Sequence, residues 1–219
     1  MKKFELTTES ITFLGRTLFR IKALISFGNV KAGELGGYIE KEGNLSHEGN
    51  AWVCGDAWVY DNARVCDNAR VCGDAEVCDN AWVCGNAWVC GNAEVCGDAE
   101  VCDNARVCGD AEVCDNARVY GDAEVCDNAR VCGNAWVCGN AEVYGDADIA
   151  TISGFGSEYR TTTFFRTKND EIAVKCGCFY GTLAEFREKV KETHGDNRYA
   201  KEYLMIADLM EMHFRGEEE

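Results

Sequence analysis

The run GNAWVCGDAWVYDNARVC at residues 49–66 is three six-residue units placed end to end. The unit continues without insertion or deletion to GNAEVYGDADIA at residues 139–150. Seventeen consecutive units in register mark an internal repeat rather than a drift of composition. Position one is Gly or Asp, position two Asn or Asp, position three always Ala, position four Trp, Arg, Glu or Asp, position five Val with one Ile, and position six Cys, Tyr or Ala. Side chains alternate along a strand, so Ala and Val face one way while positions four and six face the other. The Ala–Val side is therefore the expected core. Gly-Asn, Gly-Asp and Asp-Asn tolerate positive φ and hydrogen-bond locally, which lets the chain turn every six residues. The chain of 219 residues contains no proline, in keeping with strands that need every backbone N–H for pairing on both edges. These features predict a parallel β-solenoid.

An aliphatic and a small residue at fixed offset in a six-residue unit resemble the hexapeptide-repeat family. The resemblance covers 102 of the 219 residues. It implies a mainly β fold, a single-stranded left-handed parallel β-helix whose triangular coils each take three hexapeptides. At ~4.8 Å per rung such a rod is roughly 27 Å long. The flanks FGNVKAGELGGYIEKEGNLSHEGNAWV and FFRTKNDEIAVKCGCFYGTLAEFREKVKETHGDNRYAKEY resemble the ends of uncharacterised hexapeptide-repeat proteins of bacteria and their phages, some of them labelled acyltransferases.

Around the repeat, residues 1–48 are expected to form an N-terminal hairpin and first-coil cap, residues 49–153 the β-helix, and residues 154–219 a small α+β C-terminal cap. Ile39 and Leu45 keep the six-residue step and Val53 follows eight residues later, which places a two-residue excess near His47. Gly33, Gly36 and Gly37 are read as a turn into the first coil. Downstream, TTTFFRT and EIAVKCGCF read as a hairpin turning at Lys168, Asn169 and Asp170. Thr182 with Glu185 forms a capping box that opens a helix to about Glu192, and a second helix from about Asn197 to Phe214 carries Tyr203, Leu204, Ile206, Ala207, Met210 and Phe214 at helical spacing. The last four residues, GEEE, read as a solvated tail. Both solenoid ends need covers, because an open end is an unpaired sheet edge.

The net charge of −16 argues against nucleic acid or an anionic membrane as partner. The opening MKKFELTTES has no apolar stretch behind its lysines, so a cytoplasmic location is expected, and with it reduced thiols for the 15 cysteines. The acyltransferase resemblance implies a histidine general base, loops thrown out from the coils, and an acyl donor held between subunits. Here His47, His194 and His213 all lie outside the repeat, and the repeat has no lysine and no loop. No catalytic residue and no cofactor are expected; His47, at the first coil, reads as a surface turn residue. The resemblance also implies a possible homotrimer.

With 18 residues per coil the repeat cysteines fall into three outward columns. Cys54, Cys72, Cys90, Cys108 and Cys126 form the first, Cys78, Cys96, Cys114 and Cys132 the second, and Cys66, Cys84, Cys102 and Cys138 the third. One rung apart, two thiolates can share a soft metal, so the first column, with Cys176 and Cys178 of the CGC segment, is the candidate metal set. Against this, Tyr60, Tyr120 and Tyr144 share position six, which suits plain packing as well.

All five tryptophans, Trp52, Trp58, Trp82, Trp88 and Trp136, stand at the outward fourth position. They read either as anchors for a protein partner or another copy of the chain, or as stacking neighbours of residues such as Arg70 and Arg106, which flank Trp88 in its column. Asp at position one is followed by Asn six times of six, and then by Arg or Trp, which reads as avoidance of like charge between close neighbours. The primary functional expectation is a non-catalytic scaffold or protein-interaction module. An acyltransferase-like protein and a thiol-ladder metal or redox binder are the alternatives.

Overall fold

The computed structural model describes residues 2–215, so the GEEE tail lies outside the described residues. Strands β1 (Phe4–Phe13), β2 (Arg16–Ala23) and β3 (Leu35–Ile39) lead into sixteen two-residue rungs, β4 (Trp52–Val53) through β19 (Glu142–Val143). The rungs step six residues at a time and pair in parallel with the rung 18 residues on, building three sheets that wall the rod. Val89 lies on Val107 and Val101 on Val119, so each position stacks on its own kind. Backbone bonds tie the coils at a constant offset: Trp88 N–H donates to Ala105 C=O and Cys90 N–H to Val107 C=O, both at 2.9 Å.

The interior is as the alternation dictates. From Ala51 to Val143 every alanine and valine of the repeat is buried, forming one continuous core. Each corner bends through a left-handed residue, either glycine or one of Asp61, Asp67, Asp79, Asp103, Asp115 and Asp127 with φ between 55° and 61°. The aspartates carry a second function. The carboxylates of Asp67, Asp79, Asp103 and Asp115 accept the N–H of Gly85, Gly97, Gly121 and Gly133, one coil further on, at 3.0–3.2 Å. Beside them the position-two amides form ladders: Asn50 donates to Asn68, Asn68 to Asn86, Asn86 to Asn104, and Asn104 to Asp122, which can only accept and ends the chain.

The like-charge expectation fails along the rod axis. Glu76, Glu94 and Glu112 lie in register on consecutive rungs of one face. The structure ties two of the three: Tyr60 O–H donates to Glu76, and Arg130 reaches Glu112 at 2.9 Å. Four of the six position-one aspartates have a separate role, accepting a glycine N–H from the next coil.

At the N-terminal end the hairpin β1–β2 pairs through β3 onto the first face, Tyr38 aligning with Trp58 and Ile39 with Val59. Ile39–Val59 and the bridge Leu45–Val65 are 20 residues apart instead of 18, which locates the two-residue excess in the segment holding His47. Gly33, at φ 88°, does turn the chain. Gly36 and Gly37 instead lie inside β3, where a Cβ would meet Val53 O or Ala57 O at 2.5 Å. Lys3 is buried beneath the first coil, its ammonium donating to Ala51 C=O at 2.9 Å, and burial pulls its pKa down to about 8.

At the other end the seventeenth unit leaves the solenoid. Residues 146–148 form one 3-10 turn and Ile149 starts β20 (Ile149–Phe155), which pairs antiparallel with β21 (Arg160–Arg166). With β22 (Ile172–Cys176) and β23 (Phe179–Thr182) this makes a four-stranded sheet where two strands were expected, and β20 runs across residue 153. Helix α1 (Leu183–His194) opens on the Thr182–Glu185 capping box, and α2 (Arg198–Arg215) packs with it on the sheet through Phe186, Tyr203, Ile206, Ala207 and Met210. Among the described residues no helix is long and apolar enough to cross a membrane.

The close approach at β3 yields a paired expectation. Gly37→Ala should cost about 1–3 kcal/mol by overpacking against Val53 and Ala57 and lower the melting temperature, whereas Gly43→Ala, whose Cβ meets nothing within 4 Å, should leave it unchanged.

Candidate functional site

Two sets of residues are the candidates: the position-four tryptophans and the position-six cysteines. The five tryptophans are not equivalent. Trp52 is 0% exposed, set edge-on to Phe27 beneath the N-terminal cap, so its outward reading is corrected: β3 and the segment after the hairpin close over it. Trp58 lies against Phe13 of the hairpin with ring centroids 4.9 Å apart. Trp136 is covered at the far end, where Lys175 from β22 sits 3.9 Å from its ring centroid and its backbone N–H donates to Thr163. The caps thus take three of the proposed anchors as packing surface.

Trp82 and Trp88 remain, 46% and 43% exposed, on consecutive rungs of two adjoining faces. Trp88 stacks in register between Arg70 and Arg106, with the Arg106 guanidinium 5.5 Å from its ring centroid. Trp82 lies between Arg64 and Glu100, and its indole N–H donates to Cys66 Sγ at 3.1 Å. Beside Trp82 a shallow cavity of about 490 Å³ runs along Lys41, Asn62, Arg64 and Asn80. Three of the five repeat arginines, Arg64, Arg70 and Arg106, therefore adjoin the two open indoles. The other two lie elsewhere, Arg118 with Glu100 and Arg130 with Glu112. Arg106 is paired with Glu124 at 3.4 Å and Glu100 borders Trp82, so the basic character of this aromatic patch comes from Arg64 and Arg70.

The cysteines stack as the 18-residue step requires, and dense stacking buries Cys78, Cys102, Cys114 and Cys126 without moving them into the Ala–Val core. Four pairs one coil apart are disulfides: Cys54–Cys72, Cys84–Cys102, Cys108–Cys126 and Cys114–Cys132, with Cα separations of 4.5–4.7 Å. This differs from the reduced thiols expected above. The physical reason is the rung spacing itself, which falls inside the Cα range that a disulfide spans.

The pairing bears on the proposed metal set. Cys54, Cys72, Cys108 and Cys126 are bonded and offer no thiolate, while Cys90 stands between the two bonds as a free thiol. Cys176 accepts from Thr162 Oγ1 at 3.2 Å, and Cys178 is exposed. Both line a small cavity with His194, yet the donors do not converge on a point. Among the described residues, the donors that do converge are those of Glu112, Cys114 and Cys132, which the sequence reading did not select. Positions four and six of one unit share the outer side, and the next coil adds its own position six, so the triad was readable from the period. Its sulfurs are joined in a disulfide and its carboxylate holds Arg130.

The remaining thiols differ in charge environment. Burial pushes Cys78 and Cys96 up to about 12, and the neighbouring Glu94 carboxylate adds to the rise at both. Burial also raises Cys90, where Arg106 pulls the other way. His47 is packed, its ring stacked on Phe4 and its Nδ1 accepting the Lys3 backbone N–H at 3.3 Å.

Residues 123–139 match the family model described as the YdcK beta solenoid repeat. The chain is a β-solenoid repeat protein. That segment carries the rungs Glu124–Val125, Arg130–Val131 and Trp136–Val137, one on each wall of the rod. No curated protein matches the chain.

The split among tryptophans gives a direct expectation. Trp52→Ala should cost about 3–5 kcal/mol, as for a large buried aromatic, while Trp82→Ala should change unfolding free energy by less than about 1 kcal/mol, both read from denaturant titrations.

Proposed function

We propose that the protein is a non-catalytic solenoid scaffold whose Trp82–Trp88 patch docks a protein partner through an acidic segment bearing apolar or aromatic side chains. The observation that carries this reading is the exposure of these two tryptophans alone among five, with Arg64, Arg70 and Arg106 stacked beside them. An exposed indole next to guanidinium groups gives a partner both a large desolvated contact and charge complementarity. Around it the rod is acidic, the chain carrying a net charge of −16, so a partner with an acidic segment is steered toward this one patch and repelled elsewhere.

The hexapeptide-repeat resemblance supports the scaffold reading through its long, regular walls. The acyl-transfer reading has no comparable support, since a histidine acting as general base needs a free nitrogen near a substrate cavity. His47 spends its Nδ1 on the Lys3 backbone, its ring face on Phe4 and turns its Nε2 to Glu42 at 3.7 Å, while His194, which does line a small cavity, stacks on Tyr203 in the C-terminal cap, away from the coils.

The test is affinity capture from native lysate with wild type, with Trp82→Ser/Trp88→Ser, and with Arg64→Glu/Arg70→Glu. Proteins retained by wild type should be lost by both variants at unchanged melting temperature, and retention should fall with salt. Equal retention by the tryptophan variant would refute the proposal.

A further inference from the structure

The first cysteine column holds an odd number of sulfurs in one uninterrupted stack. Cys54, Cys72, Cys90, Cys108 and Cys126 follow one another at 18-residue intervals, and the valines preceding them pair rung on rung: Val53 with Val71, Val71 with Val89, Val89 with Val107, Val107 with Val125. The backbone bonds of successive cysteines are equally regular, Cys54 to Val71, Cys72 to Val89, Cys90 to Val107 and Cys108 to Val125, at 2.8–2.9 Å. The stack begins at Cys54, on the outermost rung of its sheet, and ends at Tyr144, which follows Cys126 in register. Two disulfides use four of the five sulfurs and leave Cys90 between them. Nothing in the backbone distinguishes the Cys90–Cys108 step from the Cys108–Cys126 step.

We propose that this column is a thiol–disulfide relay in which one odd thiol moves along the rod by exchange between stacked rungs. Cys90 loses its proton to solvent and its thiolate attacks Cys108 Sγ. The Cys90–Cys108 bond forms, the Cys108–Cys126 bond breaks, and Cys126 leaves as a thiolate that takes up a proton. In the other direction Cys90 attacks Cys72 and releases Cys54. The number of disulfides is unchanged, so no oxidant or reductant is consumed. A sulfur arriving from the adjacent rung approaches along the stack, which is also the direction of the bond it displaces. The relay carries a thiol from the middle of the rod to either end without moving any backbone atom.

Surroundings separate this column from its neighbour. Burial raises the Cys90 thiol and the cation Arg106 beside it offsets part of that rise, whereas carboxylates add to the effect of burial in the second column, Asp79, Glu76 and Glu94 at Cys78 and Glu94 at Cys96. The second column also holds four cysteines, an even number, so full oxidation leaves it no odd thiol. In the third, Tyr120 interrupts the stack before Cys138, leaving Cys66, Cys84 and Cys102 as a shorter odd run whose free thiol, Cys66, accepts the Trp82 indole N–H.

The experiment is disulfide mapping of the full chain equilibrated in a mixed oxidised and reduced glutathione buffer, quenched by acid alkylation, cleaved by an Asp/Glu-directed protease and read by mass spectrometry. Wild type should yield Cys54–Cys72 and Cys108–Cys126 together with Cys72–Cys90 or Cys90–Cys108, the alkylated thiol being shared among Cys54, Cys90 and Cys126. Cys54→Ser should move the pairing to Cys72–Cys90 with Cys108–Cys126 kept. Cys90→Ser should freeze the column in two bonds with no alkylated cysteine. A wild type in which Cys90 is the one alkylated cysteine of this column, or in which no bond forms between column neighbours, overturns the relay. So does a Cys54→Ser protein whose Cys72 and Cys90 are both alkylated. If a variant fails to fold, the wild-type pairing distribution decides by itself.

Discussion

Each coil of the rod is held to the next by backbone hydrogen bonds that link a residue to the carbonyl seventeen positions ahead, as Trp88 to Ala105 and Glu100 to Ala117. That offset forces every position of the six-residue unit to lie on the same position of the coils above and below. Any side chain chosen for the repeat must therefore tolerate a copy of itself, or a relative, one rung away. Alanine and valine meet this inside, where they fill a narrow core with no polar atom to satisfy. Glycine meets it at the corners, where a Cβ on Gly85 would sit 2.7 Å from the Asp103 nitrogen.

Outside the core, the same stacking turns ordinary residues into columns with collective chemistry. Asparagine amides become a directional ladder that runs from Asn50 until Asp122 stops it. Corner aspartates receive glycine N–H groups from the next coil. Cysteines come within bonding distance of one another without any loop to bring them there. Glutamates 76, 94 and 112 are held in register by the backbone despite their like charge, so here the rung geometry outweighs a surface repulsion that water screens.

Much of this was readable before any coordinates. The six-residue step with Ala and Val on one side names the core, and the eight-residue gap before Val53 locates the irregular coil that Leu45 and Val65 bridge. The capping box at Thr182 placed the first C-terminal helix. What escaped is what depends on contacts between distant segments. Nothing in the unit NAWVC tells Trp52 from Trp88; only the hairpin folded over the first coil buries one and leaves the other open. Likewise the last unit, GDADIA, reads as another rung, yet Ile149 finds a better partner in Phe165 of an antiparallel strand. The link between corner Asp and next-coil Gly lies at an 18-residue interval and shows only when residues are compared across coils, not within one unit.

The scaffold reading, the tryptophan patch and the cysteine column all rest on the constant coil-to-coil offset. Its most direct test is measurement of scalar couplings across hydrogen bonds in deuterated, 13C,15N-labelled protein. The account predicts couplings from the amide nitrogens of Trp88, Glu94 and Glu100 to the carbonyl carbons of Ala105, Ala111 and Ala117. Couplings at any other offset, or an antiparallel pattern among these residues, would contradict it.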